Sequence, residues 1–291
     1  MFIATLIAKD ALERGDISAA ADRLAQRDLV PGAVEWIDEG SACDLAFSGD
    51  PLEARIVLEA MDCDVVVQPR AGRRRAMLVA DMDSTMIDVE CIDELAEYAG
   101  VRAQVAAVTE RAMLGEIDFE RALDERVALL RNLDEGVIDL CREEKVRLTP
   151  GARTLVRTMR ANGAYGLLVS GGFTRFAEPV AAEIGFDEVA SNILLIEDGR
   201  LTGAVRKPIV DAHGKLEAMI RSAAARGLKL DQVLAVGDGA NDIPMLAAAG
   251  LGVAFRAKPA TAAAADARID RGDLTALLHV QGYRRADWVE D

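Results

Sequence analysis

The chain has 291 residues, of which 51% are hydrophobic, and it carries a formal net charge of −15. This length is sufficient for one large domain or two small ones with a packed core. The negative charge argues against a nucleic-acid partner, because a phosphate backbone attracts a basic surface. No apolar run approaches the roughly 20 residues of a membrane-spanning helix, so no membrane partner is expected.

The cysteines and the first residues bear on the cellular compartment. Cys43, Cys63, Cys91 and Cys141 are scattered and form no Cys-x-x-Cys pair. We therefore expect free thiols in a reducing compartment, in preference to disulfides or a zinc site. The first residues lack the positive leading region of a secretory signal. The sequence predicts a cytoplasmic protein.

Residues 1–70 are predicted to form a small α+β module. Strands are expected at Phe2–Ile7, Ala33–Ile37, Cys43–Phe47 and Cys63–Val67, and helices at Ile17–Gln26 and Pro51–Ala60. The order βαββαβ is typical of a ferredoxin-like fold. The module resembles the amino-acid-binding (ACT-like) regulatory modules of biosynthetic enzymes, but it contains no specific ligand motif.

The segment Pro69–Arg75 contains four arginines and is the best candidate for a linker. Such a run is compatible with nucleic-acid binding, but a solvated linker is the favoured interpretation. The strands expected to carry chemistry all lie beyond Met77. We therefore expect the first module to be dispensable for catalysis.

A Rossmann-like, doubly wound α/β domain is predicted for residues 77–291. Short apolar runs alternate with helical patterns and are bounded by Asp, Ser, Gly and Pro, as buried parallel strands are. These runs are Met77–Ala80, Gly166–Val169, Val233–Val236 and Leu251–Ala254. Residues 90–148 are almost wholly helical and too long for a crossover, which indicates an inserted helical cap. Asn192–Val205 is predicted to be a hairpin that turns at Asp198-Gly199.

The strongest chemical signal is Asp81-Met-Asp83-Ser-Thr85, directly after an apolar strand. Carboxylates two residues apart in an extended chain point to the same side. At the carboxyl end of a parallel strand they project into the crevice where α/β proteins bind ligands. A bound cation relieves their repulsion. Mg²⁺ prefers oxygen ligands and is often bound together with the phosphate groups of a substrate. The alternative is that Asp and Ser cap the next helix.

Two further predicted strands end in similar residues. Val233–Val236 continues into Gly237-Asp-Gly-Ala-Asn-Asp, and Gly166–Val169 continues into Ser170-Gly-Gly. Glycine permits close approach of the backbone to a ligand, and a hydroxyl beside bare backbone can donate hydrogen bonds to phosphoryl oxygens. The alternative for the Ser170 segment is a plain glycine turn. We expect the three strand ends to converge on one site.

This set of motifs resembles the haloacid dehalogenase superfamily of phosphotransferases, and in detail its phosphoserine phosphatase family. The resemblance covers about residues 77–283. It is carried by the Asp81-Met-Asp-Ser-Thr signature, Glu90, Phe119, Arg126, Ser170-Gly-Gly, Lys215 and Gly237-Asp-Gly-Ala-Asn-Asp. It implies Mg²⁺-dependent hydrolysis of O-phospho-L-serine to L-serine and phosphate, the last step of L-serine biosynthesis.

The resemblance also implies a mechanism through a phospho-aspartyl intermediate. Asp81 would be the nucleophile, and covalent catalysis divides one hard displacement into two easier ones. Asp83 would protonate the seryl oxygen and then deprotonate the attacking water. Mg²⁺ would be bound by the Asp81 side chain, the backbone carbonyl of Asp83 and Asp238.

The same resemblance assigns the phosphoryl contacts. Ser170, Gly171 and Asn241 would bind phosphoryl oxygens, and Lys215 would neutralise their charge. Lys207, in Val-Arg-Lys-Pro, is the competing candidate for the lysine. Asp242 would orient the loop or a metal-bound water.

Recognition of the substrate is expected to come from the cap. The resemblance implies that Glu90 binds the substrate ammonium. Phe119 and Arg126 are seven residues apart, so a helix brings them to one face, and an arginine can grip a carboxylate with two parallel hydrogen bonds. Without the other motifs, a core phenylalanine and a surface arginine would be the simpler interpretation.

Three alternatives stay open at this stage. The chain could act on another small phosphorylated metabolite, such as phosphohomoserine or phosphothreonine. It could transfer the phosphoryl group to an alcohol instead of water. It could also be a non-catalytic amino-acid sensor, although Asp81, Asp83, Lys215 and Asp238 are all present. The sequence is compatible with a homodimer.

Overall fold

The computed structural model describes residues 1–290, and its N-terminal part is a four-stranded antiparallel sheet with two helices. The elements are β1 (Phe2–Ile7), α1 (Arg14–Ala25), β2 (Val30–Asp38), β3 (Ala42–Ser48), α2 (Pro51–Leu58) and β4 (Asp64–Pro69). The strand order is β2-β3-β1-β4. The Asp50 carboxylate accepts a hydrogen bond from the Leu52 N–H, and Pro51 follows it, so α2 begins with a normal cap. The predicted ferredoxin-like fold is confirmed.

The remaining strands form a second sheet and a hairpin. They are β5 (Met77–Ala80), β6 (Tyr165–Phe173), β7 (Glu188–Asn192), β8 (Leu194–Glu197), β9 (Arg200–Val205), β10 (Val233–Gly237), β11 (Leu251–Phe255) and β12 (Ala267–Ile269). The sheet has six parallel strands in the order β12-β11-β10-β5-β6-β7. Read from the other edge, this is the doubly wound order 3-2-1-4-5-6, and its switch point lies between β5 and β10. The predicted fold class is confirmed.

Ten α-helices accompany these strands in residues 77–290. They are α3 (Cys91–Tyr98), α4 (Arg102–Met113), α5 (Phe119–Leu129), α6 (Gly136–Lys145), α7 (Ala152–Ala161), α8 (Thr174–Ile184), α9 (Ala212–Ala225), α10 (Ile243–Ala248), α11 (Pro259–Ala264) and α12 (Ala276–Val280). The first four are the predicted helical cap between β5 and β6. No helix of residues 1–290 is long and apolar enough to cross a membrane.

The hairpin of β8 and β9 belongs to the cap side of the molecule. The Asn132 N–H donates to the Leu201 carbonyl and the Leu201 N–H to the Leu133 carbonyl, both at 2.9 Å. The hairpin turns at Asp198, which has a left-handed φ of 50°, and Gly199. The predicted turn is therefore in place, and the hairpin extends the cap instead of the six-stranded sheet.

The two sheets are joined by buried polar contacts. The buried Asp64 carboxylate accepts hydrogen bonds from the backbone N–H groups of Asp270, Arg271 and Gly272, at 2.9–3.3 Å. The Gln68 side-chain amide donates to the Val280 carbonyl at 2.7 Å. The N-terminal sheet is thus attached at β12 and α12.

The arginine segment differs from the solvated linker that the sequence suggested. Arg73 is paired with Asp44 of β3 at 2.5 Å. Arg75 donates to the backbone carbonyls of Asp231 and Gly250, at 3.0 and 3.1 Å. The expectation of a solvated linker was wrong for these two residues. Arg73 forms an ion pair with the N-terminal sheet, and Arg75 forms hydrogen bonds with the loops on either side of β10 and α10.

Candidate active site

The predicted site residues lie at the carboxyl ends of three neighbouring strands. Asp81 follows β5 and Asp238 follows β10, on the two sides of the switch point, and Ser170 lies in β6 beside β5. Strand β5 is buried at all four residues, so both of its faces are covered. The structure therefore brings together the three motifs that the sequence placed at strand ends.

A buried lysine links two of the carboxylates. Lys215, on α9, is fully buried, and its Nζ lies 2.6 Å from Asp81 Oδ1 and 2.7 Å from Asp242 Oδ1. Lys207 lies elsewhere: its Nζ pairs with Glu120 and Asp124 on the cap helix α5. Of the two candidates, only Lys215 has its ammonium in the site.

Asp242 organises the loop that follows β10. Its Oδ2 accepts hydrogen bonds from the N–H groups of Asp238 and Gly239, at 3.1 and 3.0 Å. A Cβ at Gly237 would lie 2.4 Å from the carboxyl carbon of Asp242, so this close approach requires glycine. Asn241 belongs to the same short turn and is partly buried. Asp242 thus fixes the backbone that presents Asp238 and Asn241.

Three carboxylates share this end of the sheet with one ammonium. Oxygens of Asp81, Asp238 and Asp242 lie within 4.8 Å of one another. Burial, and next the negative charge of Asp242, raise the pKa of Asp81, and the same two causes raise the pKa of Asp238 to about 6. Burial opposes the charge of Lys215, but the two carboxylates outweigh it and raise its pKa.

This donor set fits a divalent cation. Carboxylate oxygens that repel one another in a buried site are stabilised by a hard cation, and such cations take oxygen ligands. Both oxygens of Asp242 already accept hydrogen bonds, Oδ1 from Lys215 and Oδ2 from the loop backbone. Asp81 and Asp238 are therefore the residues best placed to hold a metal ion.

Asp83 lies in an irregular turn that follows β5. The turn, Met82–Met86, changes direction at Ser84, which has a left-handed φ of 56°. Within residues 1–290 the buried Asp83 Oδ1 has no hydrogen-bond partner. Burial, and next the charge of Glu90, raise the pKa of Asp83 to about 8. Asp83 is thus a carboxyl group suited to carry a proton near neutral pH.

The Ser170-Gly171-Gly172 turn presents a buried hydroxyl beside bare backbone. The Ser170 Oγ accepts a hydrogen bond from the Gly172 N–H at 2.8 Å. A Cβ at Gly172 would lie 2.9 Å from Asp83 Oδ2 and 3.0 Å from Ser170 Oγ. Glycine is therefore needed for the turn to pack against Asp83. A turn without side chains also leaves its backbone N–H groups accessible, as anion-binding turns do.

The cap places an aromatic ring over this turn. Phe119 begins α5, and a Cβ at Gly171 would lie 3.1 Å from its Cζ. Arg126, two turns further along α5, is partly buried, and its Nε donates to the Ala122 carbonyl at 3.2 Å. Burial lowers the pKa of Arg126.

Two opposite charges of the cap are left without ionic partners. The Glu90 carboxylate accepts a hydrogen bond from the Ser84 hydroxyl at 3.0 Å. Neither Glu90 nor Arg126 forms a salt bridge in the described part of the chain, residues 1–290. Both charges therefore remain available to a ligand that carries an ammonium and a carboxylate.

One residue of the site was not found from the sequence. Asn192, at the end of β7, is buried and its side chain donates to the Gly171 carbonyl at 2.9 Å. The only sequence signal was a polar residue at the start of the predicted hairpin, which is too common to single out a site.

Comparison with known proteins agrees with this architecture. The family model of the haloacid dehalogenase-like hydrolases matches residues 78–247. The chain is similar to a phosphoserine phosphatase of Streptomyces coelicolor, with 46% identity over 254 residues that cover 85% of this chain and 62% of the relative. It spans between 56% and 65% of the length of this and two further curated relatives.

Two solved structures have a similar fold. A probable phosphoserine phosphatase from Vibrio cholerae, in unliganded form, superimposes with a TM-score of 0.80 at 32% identity, covering 98% of this chain and 87% of that one. A phospho-aspartyl intermediate analogue of phosphoserine phosphatase gives a TM-score of 0.66 at 36% identity, covering 70% and 98%. Because the family model alone spans more than half of the sequence, the chain belongs to the haloacid dehalogenase-like hydrolase family.

Proposed function

We propose that the chain hydrolyses O-phospho-L-serine to L-serine and phosphate, and so performs the last step of L-serine biosynthesis. The observation that carries this proposal is the pair of opposite charges Glu90 and Arg126, which form no salt bridge in residues 1–290 and which both interact electrostatically with Asp83. An amino-acid phosphate has an ammonium, a carboxylate and a phosphoryl group, and the site offers a complementary group for each. The similarity to phosphoserine phosphatases supports the same substrate.

The phosphoryl group would lie between the strand ends and α9. The Ser170 hydroxyl and the backbone at Gly171 would donate to phosphoryl oxygens, with Asn241 on the opposite loop. Lys215 would balance the negative charge, since its ammonium already lies against Asp81. These contacts orient the phosphorus atom toward Asp81, and such positioning is a main source of rate in phosphoryl transfer.

Asp81 would attack phosphorus and form a phospho-aspartyl intermediate. In this step the bond between phosphorus and the seryl oxygen breaks, and Asp83 gives its proton to that oxygen. In the second step Asp83 takes a proton from water, whose oxygen attacks the phosphorus. The acyl phosphate bond then breaks, which releases inorganic phosphate and restores the Asp81 carboxylate. A solved structure with a phospho-aspartyl analogue, similar to this chain, supports the route.

A magnesium ion completes the proposal. The carboxylates of Asp81 and Asp238 and the backbone carbonyl of Asp83 would hold it, and it would neutralise charge on the phosphoryl group. The all-oxygen donor set and the mutual repulsion of the buried carboxylates support Mg²⁺ over a metal that prefers thiolate or imidazole.

The test is phosphate release across a panel of phosphorylated amino acids and sugars, with and without Mg²⁺. We expect phosphoserine to be hydrolysed faster than substrates that lack its amine or its carboxylate. We also expect a chelator to abolish turnover. A preference for phosphothreonine or phosphohomoserine would show that one of these, and not phosphoserine, is the substrate. Transfer of the phosphoryl group to an added alcohol would identify a phosphotransferase. Absence of turnover on any substrate, including an aryl phosphate, would leave only the sensor interpretation.

A further inference from the structure

Strand β6 bulges where it forms the Ser170-Gly171-Gly172 turn. The ladder between β6 and β7 pairs Val169 with Ala190, and it resumes only where Phe173 pairs with Asn192. Three residues of β6 therefore span the length that one residue of β7 spans. Bulges of this kind re-aim the chain next to active sites, and they leave ladder groups without their usual partners.

The side chain of Asn192 takes the place of the missing ladder partner. Its Nδ2 donates to the Gly171 carbonyl at 2.9 Å and to the Val210 carbonyl at 3.2 Å. Its Oδ1 accepts from the Val210 N–H at 2.7 Å. The residue is only 2% exposed, so water cannot take over these hydrogen bonds, and losing them would leave buried polar groups without partners at a cost in stability.

The bond to Gly171 acts on Ser170 through one rigid unit. The Gly171 carbonyl and the Gly172 N–H belong to the same planar peptide group, so fixing one end fixes the other. The Gly172 N–H donates to the Ser170 Oγ at 2.8 Å. A hydroxyl has one proton and two acceptor positions, so an oxygen that accepts from Gly172 still has its proton to donate. That proton is therefore available for a phosphoryl oxygen of a bound substrate.

We propose that Asn192 is a positioning residue that orients the Ser170 hydroxyl for phosphoryl binding, through the peptide group between Gly171 and Gly172. This inference rests on the proposed function, because it takes Ser170 as a phosphoryl contact. Asparagine suits the role since the position needs a donor and an acceptor on one short side chain. Aspartate has the same shape but cannot donate to either carbonyl.

The same side chain also fixes the start of α9. Val210 is the residue before Asp211, whose carboxylate caps α9 by accepting from the Gly214 N–H at 2.8 Å. Lys215 lies in the first turn of that helix. Asn192 therefore ties the turn at Ser170 to the helix that carries the ammonium at Asp81.

A double-mutant cycle with Ser170 tests the proposal. The readouts are kcat and KM on phosphoserine and the affinity for inorganic phosphate, measured by calorimetry in the presence of Mg²⁺. We expect Asn192→Asp and Ser170→Ala each to weaken phosphate binding roughly 10-fold and lower kcat/KM on the order of 30-fold. The double variant should lose much less than the product of the two single losses, because residues that act as a unit give non-additive effects. Any loss beyond that of Ser170→Ala alone comes through the bonds of Asn192 to Val210, next to the cap of α9.

Thr158→Val is the matched control for general loss of stability. Thr158, on α7, is a fully buried residue whose hydroxyl oxygen accepts from the Val289 N–H at 2.8 Å, and this bond involves no site residue. It should lower Tm without changing phosphate affinity. If Asn192→Asp gives no folded protein, the cycle is run with Asn192→Ser, which keeps one short donor and should show a smaller loss of the same kind.

The outcomes separate this inference from the proposed function. Losses that multiply in the double variant, or an Asn192 variant with lowered Tm and normal phosphate affinity, would overturn the role of Asn192. Phosphate affinity that does not respond to Ser170→Ala would overturn it as well, because the residue it acts through would not bind phosphate. A coupled loss of phosphate affinity in a protein that does not turn over phosphoserine would leave the inference standing and reject the substrate.

Discussion

At the scale of single residues, the site is built around a buried ammonium that contacts two carboxylates. Lys215 lies within 2.7 Å of both Asp81 and Asp242. A buried charge is tolerated when it is paired and hydrogen-bonded. Loss of one carboxylate leaves the other to hold the lysine, so the site can lose the Asp81 charge without losing its structure.

This arrangement gives a prediction for Asp81→Asn. The amide has the shape of the carboxylate but is a poor nucleophile, so phosphate release from phosphoserine should fall by several orders of magnitude. Phosphoenzyme should no longer be trapped by acid quench, while Tm should change little because Asp242 keeps its contact with Lys215. Near-normal turnover in the variant would show that water attacks the phosphoryl group directly.

Arg126 gives a second prediction, about substrate recognition. Arg126→Ala should weaken catalysis on phosphoserine, because a charge-assisted bidentate contact in a water-poor site contributes on the order of 2–5 kcal/mol. This corresponds to a loss of roughly 30-fold to several thousand-fold in kcat/KM. The measurement is kcat/KM on phosphoserine and on an aryl phosphate that has no carboxylate.

The ratio between the two substrates is the informative quantity, because it cancels damage to folding or to the metal site. Arg126→Lys should restore only part of the loss, since lysine keeps the charge but not the planar fork. Arg121→Ala is a matched control on the same helix, since Arg121 is exposed and pairs with Glu125. Equal losses on both substrates would assign Arg126 to the structure of the cap.

At the scale of elements, the short helix α12 contains a buried histidine with an unusual environment. His279 is buried, its ring centroid lies 5.0 Å from that of Trp288, and its Nδ1 has no partner in the described residues 1–290. Burial lowers its pKa, and among the charged groups around it Asp38 and Asp273 oppose this effect while Arg285 adds to it.

A pH dependence of stability follows from that direction. A histidine with a lowered pKa binds fewer protons in the folded state than in the unfolded state, where the pKa is about 6.5. Its contribution is therefore present above pH 6.5 and is lost as pH falls below that value. Urea unfolding from pH 7.5 to 5 should show a steeper loss for the wild type than for His279→Gln.

The carboxylates with raised pKa values contribute to the pH dependence of stability with the opposite sign. Because the wild type and His279→Gln both contain them, the difference between the two profiles reports on His279 alone. Parallel profiles would show that His279 is not buried as a neutral ring. Trp288 offers an independent readout, since its fluorescence should respond to protonation of the neighbouring ring in the wild type alone.

The elements also show what the sequence could and could not predict. Strand β5 was predicted with its observed bounds, because a four-residue apolar run before two aspartates has few other interpretations. Strands β7 and β12 were missed since they lie at the two edges of the sheet, where β7 is polar and β12 has three residues. Asn192 lies in one of them, and its role depends on a bulge that no local pattern marks. The resemblance favoured Lys215 over Lys207, and the position of α9 shows that only the Lys215 ammonium lies in the site.

At the scale of the whole molecule, the N-terminal sheet has helices on one face and the catalytic part against the other, while its edge strand β2 is largely exposed. Cys43, Leu45 and Phe47 of β3 pack against α1 and α2 in one cluster. Ala42, on the other face, joins Ile7 and Val66 in the cluster that contains α12 and the six-stranded sheet. A ferredoxin-like sheet normally leaves one face open, so this module and the catalytic part share a hydrophobic core.

The shared core changes the expectation for removal of residues 1–72. From the sequence this module was expected to be dispensable, because the catalytic strands lie beyond Met77. Deletion would expose apolar side chains of α12, such as Leu277 and Val280, together with the backbone groups of residues 270–272 that Asp64 binds. We therefore expect the truncated chain to aggregate or to unfold at a lower temperature, with little loss of kcat per folded molecule.

Asp64→Ala is the milder test of the same attachment, and it leaves the module in place. Its carboxylate is buried and serves three backbone N–H groups, and each buried donor that loses its partner costs roughly 1–3 kcal/mol. We expect a lower Tm and faster proteolysis in the arginine segment 69–75, with kcat and KM on phosphoserine unchanged. Asp62→Ala is the control, because Asp62 lies two residues away and its ion pair with Arg271 is almost fully exposed on the Asp62 side. A truncated chain as stable as the full one, or Asp64→Ala with normal Tm, would show that the two sheets fold independently.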